Sequence, residues 1–260
     1  MYLSRIDSRL FEFDPREFKR IERILVVGDI HGDYDSLRRI IGLVDMSRDF
    51  IVFLGDYADR GLYGVEVIDT ISSLLEEYSG RIVALKGNHE DYSDDGEPRF
   101  YPCDLVYEAE RKKGGWMRYF VEEFKLFIER LYLAAMIPGE ILMVHGGVSS
   151  RIKSISDLRY PSLLVERDVL WSDPWGGYGE YPSRRGAGVE FGIDITEEVC
   201  DRLGIKMIVR SHEPMKALSG PCYEHNGRVV TVSSTRVYGG KPFILVLDPE
   251  TPTNISHIFI

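Results

Sequence analysis

Apolar and polar positions repeat along this chain with two periods. Short runs rich in β-branched residues read as strands: Arg23–Val27, Phe50–Leu54, Arg81–Leu85, Ile141–Val144, Lys206–Val209, Arg228–Val232 and Phe243–Leu247. Helical spacing puts Leu37, Ile40, Ile41 and Val44 on one face, and Val65, Ile68, Ile71, Leu75 and Tyr78 on another. A third face joins Phe120, Phe124, Phe127, Ile128 and Leu131. Strand and helix alternate in the first half and the last third is mostly strand. The pattern predicts an α/β (α+β) fold: a sheet-based core with helices packed outside. Residues 91–115 break it and read as loop with weak helix, either an insertion that shapes a groove or a solvated connection. Residues 171–192, rich in Gly, Pro and Tyr, are the other irregular stretch. No linker separates two domains.

Composition narrows the class. The 260 residues are 44% hydrophobic and 28% charged, enough apolar surface to exclude a wholly disordered chain. A net charge of −10 argues against a nucleic-acid partner, because phosphate contacts need clustered Lys and Arg. Apolar runs fall far short of the ~20 residues that span a bilayer, so no membrane partner is expected. The start lacks the apolar region of a secretory signal, and Cys103, Cys200 and Cys222 are widely spaced. Reduced thiols and a cytoplasmic location are the expectation.

The ends of the strands carry the chemistry. Arg23–Val27 runs into Gly28-Asp29-Ile30-His31-Gly32-Asp33, and Phe50–Leu54 into Gly55-Asp56-Tyr57-Ala58-Asp59-Arg60-Gly61. Arg81–Leu85 runs into Lys86-Gly87-Asn88-His89-Glu90, Ile141–Val144 into His145-Gly146-Gly147, and Lys206–Val209 into Arg210-Ser211-His212-Glu213. In open α/β sheets, sites form at the carboxyl ends of strands. Of the six histidines, four (His31, His89, His145 and His212) fall in these motifs. Gathering carboxylates and imidazoles in a core is costly unless each is compensated, and bound cations compensate them. Asp, His and Asn without thiolates suit manganese, iron or zinc. The set is too large for a single catalytic ion and fits two ions about 3.5–4 Å apart that share a carboxylate. Arg60, Arg185 and Arg210 lie in or near the motifs and offer planar forks matched to phosphate. Residue type and placement therefore point to metal-assisted phosphoester hydrolysis.

At these residues the sequence resembles the phosphoprotein phosphatase (PPP) family, the metal-dependent serine/threonine protein phosphatases. Gly28–Gly32, Gly55–Gly61 and Gly87–Glu90 match its GDxHG, GDxxDRG and GNHE signatures. Leu170–Pro174 resembles its LWSDP segment, Arg185–Gly192 its RGAGxxFG segment, and Arg210–His212 its R-x-H motif. The match runs from Ile24 to about Val232 in the family's order. The resemblance implies a central β-sandwich flanked by helices, the calcineurin-like metallophosphoesterase fold, with residues 1–260 as one catalytic domain and 1–22 as an N-terminal extension. It implies that Asp29 and His31 bind a first metal, that Asp56 bridges both, and that Asn88, His145 and His212 complete the second site. His89 is then the general acid and Asp59 holds its ring, while Arg60, Arg185 and Asn88 bind the substrate phosphate. The cofactors implied are two divalent ions, manganese ahead of iron or zinc, that activate a hydroxide. The substrates implied are phosphoserine and phosphothreonine in proteins or peptides. The alternative is a related hydrolase of small phosphoesters such as dinucleoside tetraphosphates; a metal-dependent nuclease ranks third, and intact ligands and acid disfavour a scaffold without activity.

There are departures. Lys86 stands where the family has Arg before GNHE, and Ser233–Tyr238 replaces the SAPNY loop, so the shape of the substrate rim is open. No long tail extends beyond the last strand, so a C-terminal autoinhibitory segment is not expected. His225 and His257 read as surface or turn residues, and the Cys222–His225 spacing lacks the second pair of a zinc site. Trp171 reads as core, while Tyr178 and Tyr181 are candidates for a substrate groove.

Overall fold

The computed structural model describes residues 8–14, 16 and 20–260. Strands are numbered in chain order. One sheet places β1 (Leu10–Glu12), β5 (Ala134–Ile137), β6 (Ile141–Val144), β10 (Met207–Arg210), β12 (Val229–Thr231) and β11 (Cys222–Glu224) side by side in that order. A second runs β14 (Thr251–Phe259), β13 (Phe243–Asp248), β2 (Arg23–Val27), β3 (Asp49–Phe53) and β4 (Ile82–Ala84). A small third sheet, β7 (Asp173–Pro174), β9 (Val189–Phe191) and β8 (Glu180–Pro182), forms from the irregular stretch 171–192.

Period-two alternation explains how the two large sheets pack. Ile24, Val26, Phe50 and Val52 face Met143, Val209 and Val230 across the sandwich interior. Their neighbours Leu25, Val27, Ile51 and Phe53 point the other way, against α1 (Tyr34–Gly42) and α2 (Gly64–Glu77). Both faces are buried, which is why these strands read as near-continuous apolar runs. On the far side, Leu142, Val144 and Ile208 pack with residues of α6 (Ile155–Arg159), α7 (Leu163–Trp171) and α8 (Ile193–Leu203). The result is four layers, helix–sheet–sheet–helix, the sandwich expected. Among the described residues no helix is long and apolar enough to cross a membrane.

Residues 91–115 are more ordered than either sequence reading. Tyr92, Phe100, Cys103, Leu105 and Ala109 are buried, and α3 (Leu105–Lys112) packs on the α2 layer. Glu108 of α3 accepts the Gly64 and Val65 amides at 3.0 Å each, supplying the partners that the start of α2 lacks. The expected third helical face is α4 (Trp116–Tyr119), a π-helical turn (Phe120–Phe124) and α5 (Lys125–Ile128). The wider turn brings Tyr119 and Phe124 into register, their rings stacked at 5.9 Å and 6°.

The expected extension over residues 1–22 lies partly outside the described residues; within them, β1 pairs parallel to β5. His225 corrects the surface reading. It is 5% exposed, with Nδ1 2.7 Å from Thr196 Oγ1 and Nε2 donating to Trp175 O at 2.9 Å. Burial holds its pKa down, so a neutral ring satisfies both contacts. His257 is exposed on β14. Tyr178 and Tyr181 are exposed, and Trp171 is half-buried beside the two helical cores.

The aromatic cluster under α2 sets a stability expectation. Phe124 is fully buried against Tyr92, Trp116 and Phe127. Phe124→Ala should cost about 3–5 kcal/mol in urea unfolding. A loss below about 1 kcal/mol would show that this cluster is not part of the cooperative core.

Candidate active site

Parallel pairing brings the motifs together. β2, β3 and β4 run parallel in one sheet, and β6, β10 and β12 in the other. A bridge between Asp29 and Ser233, just past the ends of β2 and β12, joins the two sheets at the shared edge. The chain turns sharply there. Among the described non-glycine residues with positive φ are His31 (49°), Asp56 (56°), Asp59 (68°), Arg60 (70°) and His212 (68°). Strain of this kind persists where surrounding contacts over-determine it, and it clusters at functional sites. Gly87 is required by approach instead: a Cβ there would sit 2.3 Å from Asp56 Oδ1.

Asp56 is the hub. It is buried, with Oδ2 3.5 Å from His31 Nε2 and Oδ1 3.3 Å from His145 Nε2. Donor atoms of Asp56, His145 and His212 lie within 4.8 Å of one another, as do those of His31, Asp56 and His89. Asn88 Oδ1 is 3.0 Å from His145 Nε2, and His212 Nδ1 is 3.1 Å from the same atom. Asp29 Oδ1 accepts the His212 amide at 3.0 Å, while its Oδ2 is 3.9 Å from His31 Nε2. All six residues expected as ligands are therefore at one place.

The donor set fits divalent cations on three observations. Asp29 Oδ2 and His212 Nε2 are buried without a hydrogen-bond partner. His31 and His145 each give their Nδ1 proton to a backbone carbonyl, Ala58 O and Leu54 O, both at 3.0 Å. That turns Nε2 of each ring toward the carboxylates, the arrangement usual for metal-ligating histidine. His145 Nε2 faces both Asn88 Oδ1 and Asp56 Oδ1, a convergence of ligand atoms that a cation suits. The electrostatics agree. Burial acts to raise the Asp56 pKa, but His145, His89 and His31 outweigh it and hold the carboxyl well below its usual range. Burial, with His145 and Arg185, keeps His212 well below the usual imidazole range and so neutral.

His89 belongs to one of these donor groups, and its other ring nitrogen is engaged by a carboxylate. Its Nδ1 is 2.6 Å from Asp59 Oδ2. Asp59 Oδ1 accepts the amides of Asp104 and Leu105 at 2.6 and 2.8 Å, and Phe100 packs on the His89 ring at 4.5 Å. The segment 91–115 thus buttresses the site, a role more specific than the groove-shaping insertion that was one of its two sequence readings. Burial pulls the His89 pKa down, but Asp56 and Asp59 outweigh it and the net shift is upward. Glu90, quoted in its motif without a role, accepts the amides of Asp56 (2.9 Å), Tyr57 (3.0 Å) and Gly87 (2.9 Å). Burial and the Asp56 charge push it up to about 7.

The arginines divide. Arg60 adjoins Asp59 and hydrogen-bonds Pro102 O at 3.2 Å, and its charge acts on the Tyr238 hydroxyl. Arg185 donates to Asp173 Oδ2 at 2.6 Å, keeps 40% side-chain exposure, and acts electrostatically on Asp56 and His212. Arg210 does not reach the opening. It is fully buried and held by Asp173, Glu213 and the Gly146 carbonyl, so it braces the site.

Comparison with known proteins adds the wider context. Residues 22–216 match the family described as calcineurin-like phosphoesterase. A serine/threonine-protein phosphatase of Caenorhabditis elegans is 33% identical over 223 residues, 83% of this chain and 48% of that protein. The chain thus spans about half the length of this curated relative. Among solved structures, a Saccharomyces cerevisiae protein serine/threonine phosphatase superposes with TM-score 0.80 at 24% identity, over 97% of this chain and 84% of that one. A cold-active protein tyrosine phosphatase superposes with TM-score 0.65 at 17% identity, over 95% and 79%. Both structural likenesses bear on the fold.

Lys86, the departure beside Asn88, is tied down rather than free. Its Nζ bonds Asp91 at 3.1 Å and Glu166 at 2.9 Å in a nearly buried position, and Arg9 lies 3.6 Å from the same Glu166 oxygen. Burial acts to raise the Glu166 pKa, but Lys86 and Arg9 hold it below the usual carboxylate range. A carboxyl depressed in the folded state adds stability above its unfolded pKa and loses it as pH falls through the folded value. Glu166→Gln should therefore cost about 1–3 kcal/mol at pH 7, with the difference from wild type shrinking below about pH 4. Urea titrations across that range check it, and a pH-independent difference would rule out the charge pair as the cause.

Proposed function

The chain belongs to the calcineurin-like phosphoesterase family, and from that premise we propose that it is a phosphoprotein phosphatase that hydrolyses phosphoserine and phosphothreonine monoesters. The observation that carries this reading is the His89–Asp59 pair beside the ligand cluster. A serine or threonine alkoxide is a poor leaving group, so its expulsion needs a positioned proton donor. With Nδ1 engaged by Asp59, His89 Nε2 is the nitrogen that gives the proton. Asp59, itself locked by two backbone amides, keeps the ring in the donating tautomer and stabilises the imidazolium. The 33% identity to a serine/threonine-protein phosphatase supports the same substrate class.

Two divalent cations would be held by Asp29, His31, Asp56, Asn88, His145 and His212, with manganese ahead of iron or zinc for this oxygen and nitrogen donor set. Such ions supply Lewis acidity toward phosphoryl oxygens and acidify water. Arg60, Arg185 and the Asn88 amide orient the phosphate. The new oxygen–phosphorus bond forms from water, which gives up a proton to solvent, as the ester bond breaks, and His89 protonates the departing oxygen. No side-chain nucleophile is called on: the Cys103 thiol is buried 3.0 Å from the Tyr92 hydroxyl, and burial pushes its pKa up to about 11. The displacement is single, with inversion at phosphorus. The expected substrates are phosphorylated proteins or peptides in the cytoplasm.

A substrate panel tests this. Metal-loaded protein should turn over phosphoserine and phosphothreonine peptides in preference to phosphotyrosine peptides, diadenosine tetraphosphate and single-stranded DNA. Turnover of the dinucleotide alone overturns the proposal. His89→Asn should lower kcat about 10²–10⁴-fold while elemental analysis finds the metal content unchanged; loss of metal would make His89 a ligand. Chelation should abolish activity, and readdition of manganese should restore it.

A further inference from the structure

The 233–238 loop, where the sequence leaves its family's pattern, is fastened to the ligand-bearing turn by contacts outside the motifs. The Asp33 carboxylate accepts three hydrogen bonds from Arg236: Nη2 at 2.7 Å, Nε at 3.1 Å and the backbone amide at 2.8 Å. Asp33 lies two residues after His31. It also caps α1 through the Ser36 amide (3.2 Å) and hydroxyl (2.7 Å). The start of the loop is fixed independently. Ser234 Oγ accepts the Gly28 amide at 3.0 Å and donates to Phe243 O at 2.7 Å.

Beyond Arg236 the chain makes a tight turn, closed by the Gly239 amide on Arg236 O at 2.8 Å. Tyr238 sits inside that turn. Its ring meets His31 edge-to-face, centroids 5.5 Å apart at 65°, and the Arg60 charge acts on its hydroxyl. Fixing Arg236 therefore fixes Tyr238 two residues on. Without the Arg236 contacts, the turn would be held only at its flanks, by Ser234 on one side and by the Lys241 amide on Leu218 O at 2.8 Å on the other.

We propose that the Asp33–Arg236 ion pair is a positioning clamp, which holds Tyr238 against His31 and beside Arg60 as one rigid wall of the phosphate pocket. Neither clamp residue touches a reacting atom; both act through Tyr238. The proposal rests on the phosphomonoesterase reading of the site. It makes the rim of this protein a product of its own sequence, because the arginine that anchors it lies in the departing segment Ser233–Tyr238.

Arg236→Ala tests it cleanly, because the Asp33 cap on Ser36 survives that change. With metal-loaded protein and para-nitrophenyl phosphate, KM should rise about three- to tenfold with kcat changed less than about twofold, and Arg236→Lys should recover part of the loss. Inorganic phosphate, titrated calorimetrically, should bind more weakly by a similar factor, and amides of residues 236–239 should exchange faster with solvent. In a Tyr238→Ala background, Arg236→Ala should add almost nothing. Additive effects of the two substitutions overturn the clamp, as does unchanged phosphate affinity, with or without faster exchange. If no phosphomonoester is turned over but phosphate binding and exchange shift as stated, the clamp stands and the functional reading falls.

Discussion

Burying one carboxylate among imidazoles is the constraint around which this structure is arranged. Asp56 lies just past the end of β3, in a left-handed backbone conformation, with His31, His89 and His145 around it. A lone carboxylate there would be costly, since desolvation disfavours the charged form by several pKa units at fully buried sites. The surrounding rings reverse the sign and hold it ionised. Glu90 then takes the Asp56 amide, and the absence of a side chain at Gly87 leaves room for Oδ1. Backbone strain, a buried second carboxylate and a bare glycine are all consequences of placing that one charge.

Much of this was legible because catalytic ends come directly after apolar runs. Strands buried on both faces give unbroken β-branched runs, and the polar residue that stops each run marks the sheet edge. β2 and β6 fall where the runs predict, while β3 and β10 shift by one residue and β4 and β12 shorten at both ends. β14 escaped notice because it is an edge strand with one face in water: Thr251, Asn254, Ser256 and His257 are exposed, and no apolar run announces it. β5 escaped because Ala134, Ala135 and Met136 are not strand formers by propensity; pairing with β6 and β1 overrides that. His225 does lie in a turn, but its burial left no trace because its partners, Thr196 and Trp175, are distant in sequence. The same holds for the contact between Asp59 and the start of α3. Long-range polar pairing leaves no periodic trace.

Local geometry explains how neighbouring residues take separate tasks. Asn88 and His89 open a 3-10 turn, Asn88–Glu90. With about three residues per turn, successive side chains diverge by roughly 120°. Asn88 consequently meets His145, His89 meets Asp59, and Glu90 turns back to the amides of Asp56 and Tyr57. An extended strand at this point, with its period of two, would return the third side chain to the side of the first. The compactness of the motif is a property of the turn.

Charge distribution then decides how a phosphate is received. The chain carries a net −10, which repels a phosphorylated ligand at long range. At physiological ionic strength that field is screened within about 8 Å, so the groups at the opening dominate once the ligand arrives. Arg210 is fully spent on Asp173 and Glu213, and Lys86 on Asp91 and Glu166. Arg185 is half committed to Asp173, and Arg60 keeps its charge at the mouth with a carbonyl and a phenol for partners. Attraction at the opening therefore depends on few cations, and their orientation matters more than their number. A wall that fixes Arg60 against Tyr238 has a larger effect in such a protein than in a basic one, where surplus charge would hide its loss.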